Sequence, residues 1–198
     1  MSKDMLGTLV RKLVNVPEEA LGTLIDLSEK LAGPNGKEWL VALKHFLRKE
    51  GMAMLEVFRV TVDYSMTIEQ MIAAGRYDWQ NNDVNDKHFP IPPSKRGKQE
   101  VAIELIKFDR DMESNEVLRE LDKMGLRSAE LPELLAFGAA YPEKQREFPV
   151  VALGSVWHYW DGDRGVACLC RHAGGRYLDL RWWCGRWFSH GRFAAVSK

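Results

Sequence analysis

Three cysteines near the end of the sequence carry its most reactive side chains. Cys168 and Cys170 are separated by one residue, His172 follows them, and Cys184 lies further along the chain. Zinc sites use thiolates and imidazoles, but the two cysteines of a pair usually have about two to four residues between them rather than one. No fourth ligand is specified here either. A C-x-C spacing in a strand places both side chains on one face, where free thiols commonly act as small apolar fillers. We therefore predict neither a metal ion nor another cofactor.

Other candidate groups also give no complete catalytic site. No spacing pairs a cysteine with His172 or His190, so a stabilised catalytic thiolate is not expected. The stretch "DGDRG", which contains Asp161 and Asp163, resembles part of a calcium loop without its closing glutamate, and an Asx turn is predicted instead. The loop "WQNNDVNDKHF" at 79–89 is likewise predicted to be an ordered, Asx-rich loop. No GxGxxG or P-loop spacing is present either, which argues against phosphate binding by those motifs.

Length and charge exclude further classes of protein. The chain has 198 residues, enough for one domain with a substantial core, and its formal net charge is zero. No overall electrostatic field therefore favours the binding of nucleic acid. No apolar run approaches the roughly 18 residues of a membrane span. Residues 1–19 lack the features of a secretory signal, which predicts a cytoplasmic protein, with surface display by another route as the alternative.

The apolar periodicity predicts the elements that must position these side chains. Residues 1–51 predict a small unit of two or three helices, interrupted at Pro17 and at the turn "GPNG". From there on, the patterns predict strands at 55–65, 101–109 and 148–154, and helices at 65–75, 114–125 and 128–148. The expected N-caps of the three helices are Thr67, in a capping box with Gln70, Ser114 and Ser128. This order indicates the α+β class, with helices segregated from an antiparallel sheet.

The composition changes sharply at residues 155–198. This segment holds five of the seven Trp and all three Cys, but no Asn, Gln, Glu, Met, Ile, Thr or Pro. Within "RYLDLRWWCGRWFSHGRF" at 176–193, a skeleton of large hydrophobic residues alternates with side chains that share no property. We expect the skeleton to lie in the core, together with Trp157, and we expect Trp160 and Trp183 to be exposed. The skeleton consists of Leu178, Leu180, Trp182, Trp187 and Phe193.

Several stretches resemble the variable proteins of diversity-generating retroelements, in the type found in archaea and candidate-phylum bacteria. They are "DWQNNDVNDKHFPI", "ELPELLAFGAAYPEKQREFPVVALGS" and "LDLRWW", followed by "RFAAV" near the end. The resemblance implies a C-type lectin-like domain of the formylglycine-generating-enzyme type at 52–198, preceded by the helical unit at 1–51. It also implies a hypervariable segment at about 155–198.

The resemblance implies a reason for the mixed surface. In that family, a reverse transcriptase randomises template adenines, and Asn codons of the form AAC or AAT become codons for many residues, but not for Trp, Gln, Glu, Lys or Met. The interleaved positions of the segment hold reachable residues. With Trp183 added as an exposed aromatic residue, the predicted ligand-binding positions are Tyr159, Asp163, Cys170, His172, Gly175, Tyr177, Asp179, Arg181, Trp183, Cys184, Arg186, Phe188 and His190.

The implied function is non-enzymatic binding of a macromolecular ligand, with a protein expected first, through this hypervariable surface. Two alternatives stay open from the sequence. One is an oxidase of the sulfatase-modifying type, which would need a copper-binding cysteine pair chosen from Cys168, Cys170 and Cys184. The other is a plain lectin-like binding module, for which the sequence offers no complete calcium set.

Overall fold

The computed structural model describes residues 17–37, 39–40, 43 and 56–198. The chain divides into two compact units, Met1–Ala53 and Met54–Lys198. The first unit contains helix α1 (Glu18–Ala32), which begins after Pro17 and ends at Gly33. The helix predicted after Pro17 and the turn at "GPNG" are thereby confirmed, whereas the helix predicted before Pro17 and most of the one after the turn lie outside the described residues.

The second unit is built on a sheet of eight strands. Their order is β1-β3-β10-β6-β7-β8-β2, and β5 pairs with β10 beside this path. The strands of this sheet are β1 (Val57–Asp63), β2 (Trp79–Gln80), β3 (Lys98–Ile106), β5 (Leu126–Ser128), β6 (Val150–His158), β7 (Arg164–His172), β8 (Gly175–Trp182) and β10 (Arg192–Ser197). Two further short strands, β4 (Met112–Glu113) and β9 (Arg186–Trp187), pair with each other.

The sheet is mixed in direction. Strand β10 runs parallel to β6, and β2 runs parallel to β8, while the other neighbours are antiparallel. The α+β class is confirmed, but the prediction of an antiparallel sheet is wrong. The reason is that both β2 and β10 join the sheet through long connections, and such connections, unlike hairpins, permit parallel pairing.

Four helices belong to the second unit: α2 (Ile68–Gly75), α3 (Ser114–Lys123), α4 (Leu131–Ala140) and α5 (Lys144–Glu147). The capping box of α2 is confirmed, because the Thr67 hydroxyl accepts from the Gln70 amide at 3.2 Å and the Gln70 side chain accepts from the Thr67 amide at 2.9 Å. Its C-cap, Arg76, has the left-handed conformation that ends many helices.

Two of the predicted N-caps are wrong, because both serines have other partners. Ser114 is the first residue of α3, and its hydroxyl donates to the Trp183 carbonyl at 2.7 Å. Ser128 ends β5, where its hydroxyl accepts from the Leu153 amide at 2.7 Å. Helix α4 begins instead after Glu130, whose amide donates to the Glu133 carboxylate at 2.7 Å.

The two faces of the sheet have different neighbours. On the helix-packed face, Leu169 and Leu178 are cross-strand partners and are fully buried in one core cluster with residues of α2 and α4. We call the other side the opposite face. A row of paired residues crosses it from Phe193 through Val151 and Cys168 to Asp179. This row leads from the buried centre of the sheet to its accessible edge.

A candidate ligand-binding face

Strand β8 carries three of the predicted binding residues on the opposite face. Tyr177 pairs with Cys170, Asp179 with Cys168, and Arg181 with Val166. Because side chains alternate along a strand, all three project away from the side that holds Leu178. Strand β8 therefore joins the core on one side and presents chemically varied residues on the other.

Most predicted binding residues reach the surface, but to different degrees. Exposed ones are Asp163, His172, Arg181, Cys184, Arg186, Phe188 and His190. Half-buried ones are Tyr159, Gly175, Tyr177 and Asp179. The remaining two, Cys170 and Trp183, are buried at 6% and 7% exposure.

The exposure expected for Cys170 and Trp183 is therefore wrong. Cys170 lies in β7, an interior strand, and the Arg181 guanidinium covers its thiol at 4.0 Å. Trp183 follows the end of β8, where the alternation of the strand stops. Its amide donates to the Arg164 carbonyl at 2.8 Å, and the Arg164 guanidinium lies 4.6 Å from its ring centroid.

The core position predicted for Trp182 is also wrong. Trp182 is 50% exposed, while Trp157 and Trp187 are half-buried. The predicted exposure of Trp160 is confirmed at 97%. The skeleton residues Leu178 and Phe193 are buried as predicted, and Leu180 is half-buried against the core cluster.

The predicted binding residues do not form one continuous cluster. Tyr159 lies between Trp157 and Trp182 in a tilted arrangement, with ring centroids 3.8 and 4.8 Å away, and Trp157 stacks on His88 at 4.1 Å. Burial and the charges of nearby carboxylates raise the pKa of Tyr159. Trp182 lies on the helix-packed side of β8 by strand alternation, so this aromatic run is separated from Arg181 by the sheet.

A second aromatic group lies near the β2 edge of the opposite face. Trp79 stacks on Tyr177 with centroids 5.4 Å apart, and His172 meets Tyr177 edge-on at 5.7 Å. Trp79 is 43% exposed. Sequence reasoning did not include it, because the parallel pairing of β2 with β8 gives no local signal.

An open pocket of about 420 Å³ lies on the opposite face, beside the segment 185–191. Its apolar floor includes Val151, Cys168 and Phe193. Its cationic or ionisable lining residues are Arg181, Arg186 and His190, and Phe188 also lines it. Four of the predicted binding residues are thus brought together around one concave site.

The Cys168 and Cys170 thiols interact with each other below this surface. The pKa of Cys170 is lowered to about 7, because the Cys168 side chain hydrogen-bonds to it and the positive charge of Arg181 is close. The pKa of Cys168 is raised well above its usual value by that hydrogen bond and by burial. Among the described residues, no three His, Cys, Asp or Glu side chains converge in a way that could hold a metal ion.

The acidic loops take the ordered form predicted for them. The Asp163 amide donates to the Asp161 carboxylate at 3.1 Å, which is the expected Asx turn. Of the loop predicted at 79–89, Trp79–Gln80 forms β2 instead. In the remainder, the Asp83 amide donates to the Asn81 side chain at 3.0 Å, and the Asn81 amide group donates to Asp179 at 3.3 Å. This loop therefore supports the edge of the opposite face.

Arg176 is a structural residue that sequence reasoning missed. Its guanidinium, only 6% exposed, donates to the carbonyls of Gly75 and Gly138, each at 2.7 Å, and to the Gln145 side chain at 3.2 Å. It thereby joins β8 to the ends of α2 and α4 and to α5. Its position on the same side as Leu178 was the available signal, but an arginine in a mixed segment is ordinarily read as exposed.

The described residues include no helix that is both long enough and apolar enough to cross a bilayer. No family model matches the sequence, and no curated protein or solved structure is significantly similar to it.

Proposed function

We propose that the chain is a non-enzymatic ligand-binding protein whose surface is diversified by retroelement mutagenesis. The observation that carries this proposal is the alternation along β8. Leu178 is fully buried, while its neighbours Tyr177 and Asp179 are partly accessible on the opposite face, and Arg181 is exposed. A protein that must fold with many different surfaces needs such a division within single strands.

The energetic reason is the low cost of exposed substitutions. Changes at exposed positions away from caps and strained sites usually alter stability by less than about 0.5 kcal/mol. Seven of the thirteen predicted positions are exposed, and several lie in the segment 184–190, largely outside the strands of the main sheet. A diversifying mechanism acting there would leave the core unchanged.

The face has the composition of a protein-binding surface. It combines tyrosine, tryptophan, arginine and histidine with small residues, as antibody paratopes do. Aromatic and arginine side chains supply most of the energy at protein interfaces, so Tyr177, Arg181 and Phe188 are the expected anchors. A protein ligand is therefore the first expectation.

The buried residues refine the proposed variable set. Trp183 is buried, and tryptophan cannot be reached from an Asn template codon, so Trp183 belongs to the fixed frame. Arg176 and Cys170 have reachable identities but are buried, and Arg176 is fixed further by its hydrogen bonds. Within the set, the exposed positions are the ones we expect to vary most.

We also propose that residues 52–198 have the C-type lectin-like fold of the formylglycine-generating-enzyme type. In support, two helices pack on one face of a mixed sheet. The segment from β6 to β10 also makes a long excursion before it returns to the centre of that sheet. This arrangement would let the excursion vary while β10 closes the core.

The oxidase alternative is less well supported by the cysteines. A copper-binding pair needs two thiolates, and Cys168 is buried with a raised pKa, so its deprotonation is disfavoured. Cys184 is exposed and belongs to the loop after β8 rather than to the buried pair. The described residues also offer no group of carboxylates for a calcium-dependent lectin site.

The test is to sequence the gene and its flanking DNA in many sibling cells. We expect differences to cluster in codons 158–191, at positions reachable from AAC or AAT, and we expect an adenine-rich near-copy of this region beside a reverse-transcriptase gene. The codons for Leu178 and Arg176 are the internal controls and should stay constant. Synonymous differences scattered evenly along the gene would contradict the proposal.

A further inference from the structure

The pocket on the opposite face has a chemical preference of its own. Its floor is apolar, since Val151, Cys168 and Phe193 are each no more than 3% exposed. Above the floor, Arg181 and Arg186 supply two positive charges, and none of the described residues that line the pocket is acidic. A site of this kind favours a group that is apolar at one end and anionic at the other.

Neighbouring carboxylates leave part of this positive charge free. Asp179 lies 3.7 Å from Arg181, but one of its oxygens also accepts from the Asn81 side chain and the Leu180 amide. Glu113 is the cross-strand partner of Arg186 in the short β4–β9 pair. Both carboxylates lie outside the lining of the pocket, so an incoming anion would meet the guanidinium groups first.

The walls of the pocket are held in place. The Trp187 indole donates to the Ser114 hydroxyl at 2.9 Å, and its ring meets Phe193 edge-on at 6.0 Å. The Ser189 amide donates to the Asp111 carboxylate at 3.2 Å, and the Gly191 amide donates to the Phe188 carbonyl at 3.1 Å. A preformed site loses less conformational entropy when it binds.

The surroundings favour a protein segment over a free small molecule. Phe188 is 63% exposed at the rim, so the apolar surface extends beyond what one small ligand in the pocket would cover. Exposed aromatic residues next to arginine are typical of protein-binding hot spots.

We propose that this pocket binds an acidic protein segment, which inserts one aromatic side chain onto the Val151–Cys168–Phe193 floor and places carboxylates against Arg181 and Arg186. The proposal deepens the proposed function and rests on it, because it names the chemistry of the ligand for one part of the same face.

The test uses capped peptides and the amide spectrum of the isotope-labelled full chain. Acetyl-EEFEE-amide is compared with acetyl-KKFKK-amide, which reverses the charge, and with acetyl-EESEE-amide, which removes the aromatic anchor. We expect saturable shifts at Arg181, Gly185 and Gly191 with the first peptide only. Equal shifts with all three peptides, shifts elsewhere, or no shifts with any of them would overturn the proposal.

Two variants and one small molecule make the test specific. Arg181→Gln combined with Arg186→Gln should weaken binding of the acidic aromatic peptide about fivefold to tenfold. Arg171→Gln is the matched control, because Arg171 is exposed on β7 but does not line the pocket. Free phenylacetate should bind more weakly than the peptide, and equal affinity would contradict a protein segment as the ligand.

The two proposals fail in different ways. If the peptides do not bind but the gene varies at the expected codons, the variable face stands and the assigned ligand chemistry is wrong. If the peptides bind as expected but the gene is constant, the pocket is a fixed binding site and the retroelement proposal is wrong.

Discussion

The two sides of strand β8 differ in what they allow. On the helix-packed side, Leu178 has no exposed surface and Arg176 makes hydrogen bonds to three helices. On the opposite side, Asp179 and Arg181 reach solvent and contact each other at 3.7 Å. Tolerance to substitution in β8 therefore depends on which side of the strand a residue faces, although the whole segment shares one unusual composition.

The largest contrast is expected between Leu178→Ala and Arg181→Ala. The first change leaves a cavity in the core and should lower the free energy of unfolding by about 3–4 kcal/mol. The second removes an exposed side chain and should change it by less than about 0.5 kcal/mol. Urea denaturation followed by circular dichroism measures both free energies of unfolding. Similar losses for the two variants would show that the two sides of β8 tolerate substitution equally.

Arg176→Met tests whether the charged Arg176 on the helix-packed side of β8 contributes to stability as the apolar residues there do. Methionine keeps much of the volume but leaves the Gly75 and Gly138 carbonyls without their donor, which should destabilise the protein by about 2–3 kcal/mol. Arg181→Met is the control, with an expected change near zero in the same denaturation experiment. An Arg176→Met protein as stable as the parent would show that these hydrogen bonds do not constrain the position.

The smallest expected effect is a gain in stability at the β7–β8 turn. Ala173 and Gly174 have φ of 46° and 86°, which is the left-handed conformation that alanine adopts at a cost. Asn tolerates it better, so Ala173→Asn should raise the unfolding free energy by about 0.5–1 kcal/mol, measured as a higher melting temperature. Replacing the exposed Ala74, in the last turn of α2, with Asn is the control and should not stabilise the protein.

Local patterns predicted the elements well where the signal itself is local. The alternation at 55–65 and the Thr67–Gln70 capping box both involve residues close in sequence; the strand is confirmed at Val57–Asp63, and the capping box is confirmed as well. The parallel placement of β2 and β10 could not be predicted, because pairing across long connections depends on the packing of the whole sheet. Ser114 and Ser128 show the same limit, since their partners Trp183 and Leu153 are distant in sequence.

The candidate site was predictable in outline but not residue by residue. The alternation of the segment identified Leu178 as core and Arg181 as exposed. It failed for Trp182, which keeps the core side of β8 but is the last residue of the strand and is 50% exposed. It failed for Trp183 because this residue follows the strand, where a period of two no longer applies. It also failed for Cys170, whose burial comes from the interior position of β7 and from the Arg181 side chain lying over it.

The place of β10 in the sheet has a consequence for how the protein is made. This strand follows the segment 155–191 in the chain, yet it lies between β3 and β6. The sheet can join its two halves only after the ribosome has released residues 192–197, so a reading-frame error anywhere upstream removes the strand that closes it. Only chains that are translated in frame through residues 155–191 can therefore form the complete sheet.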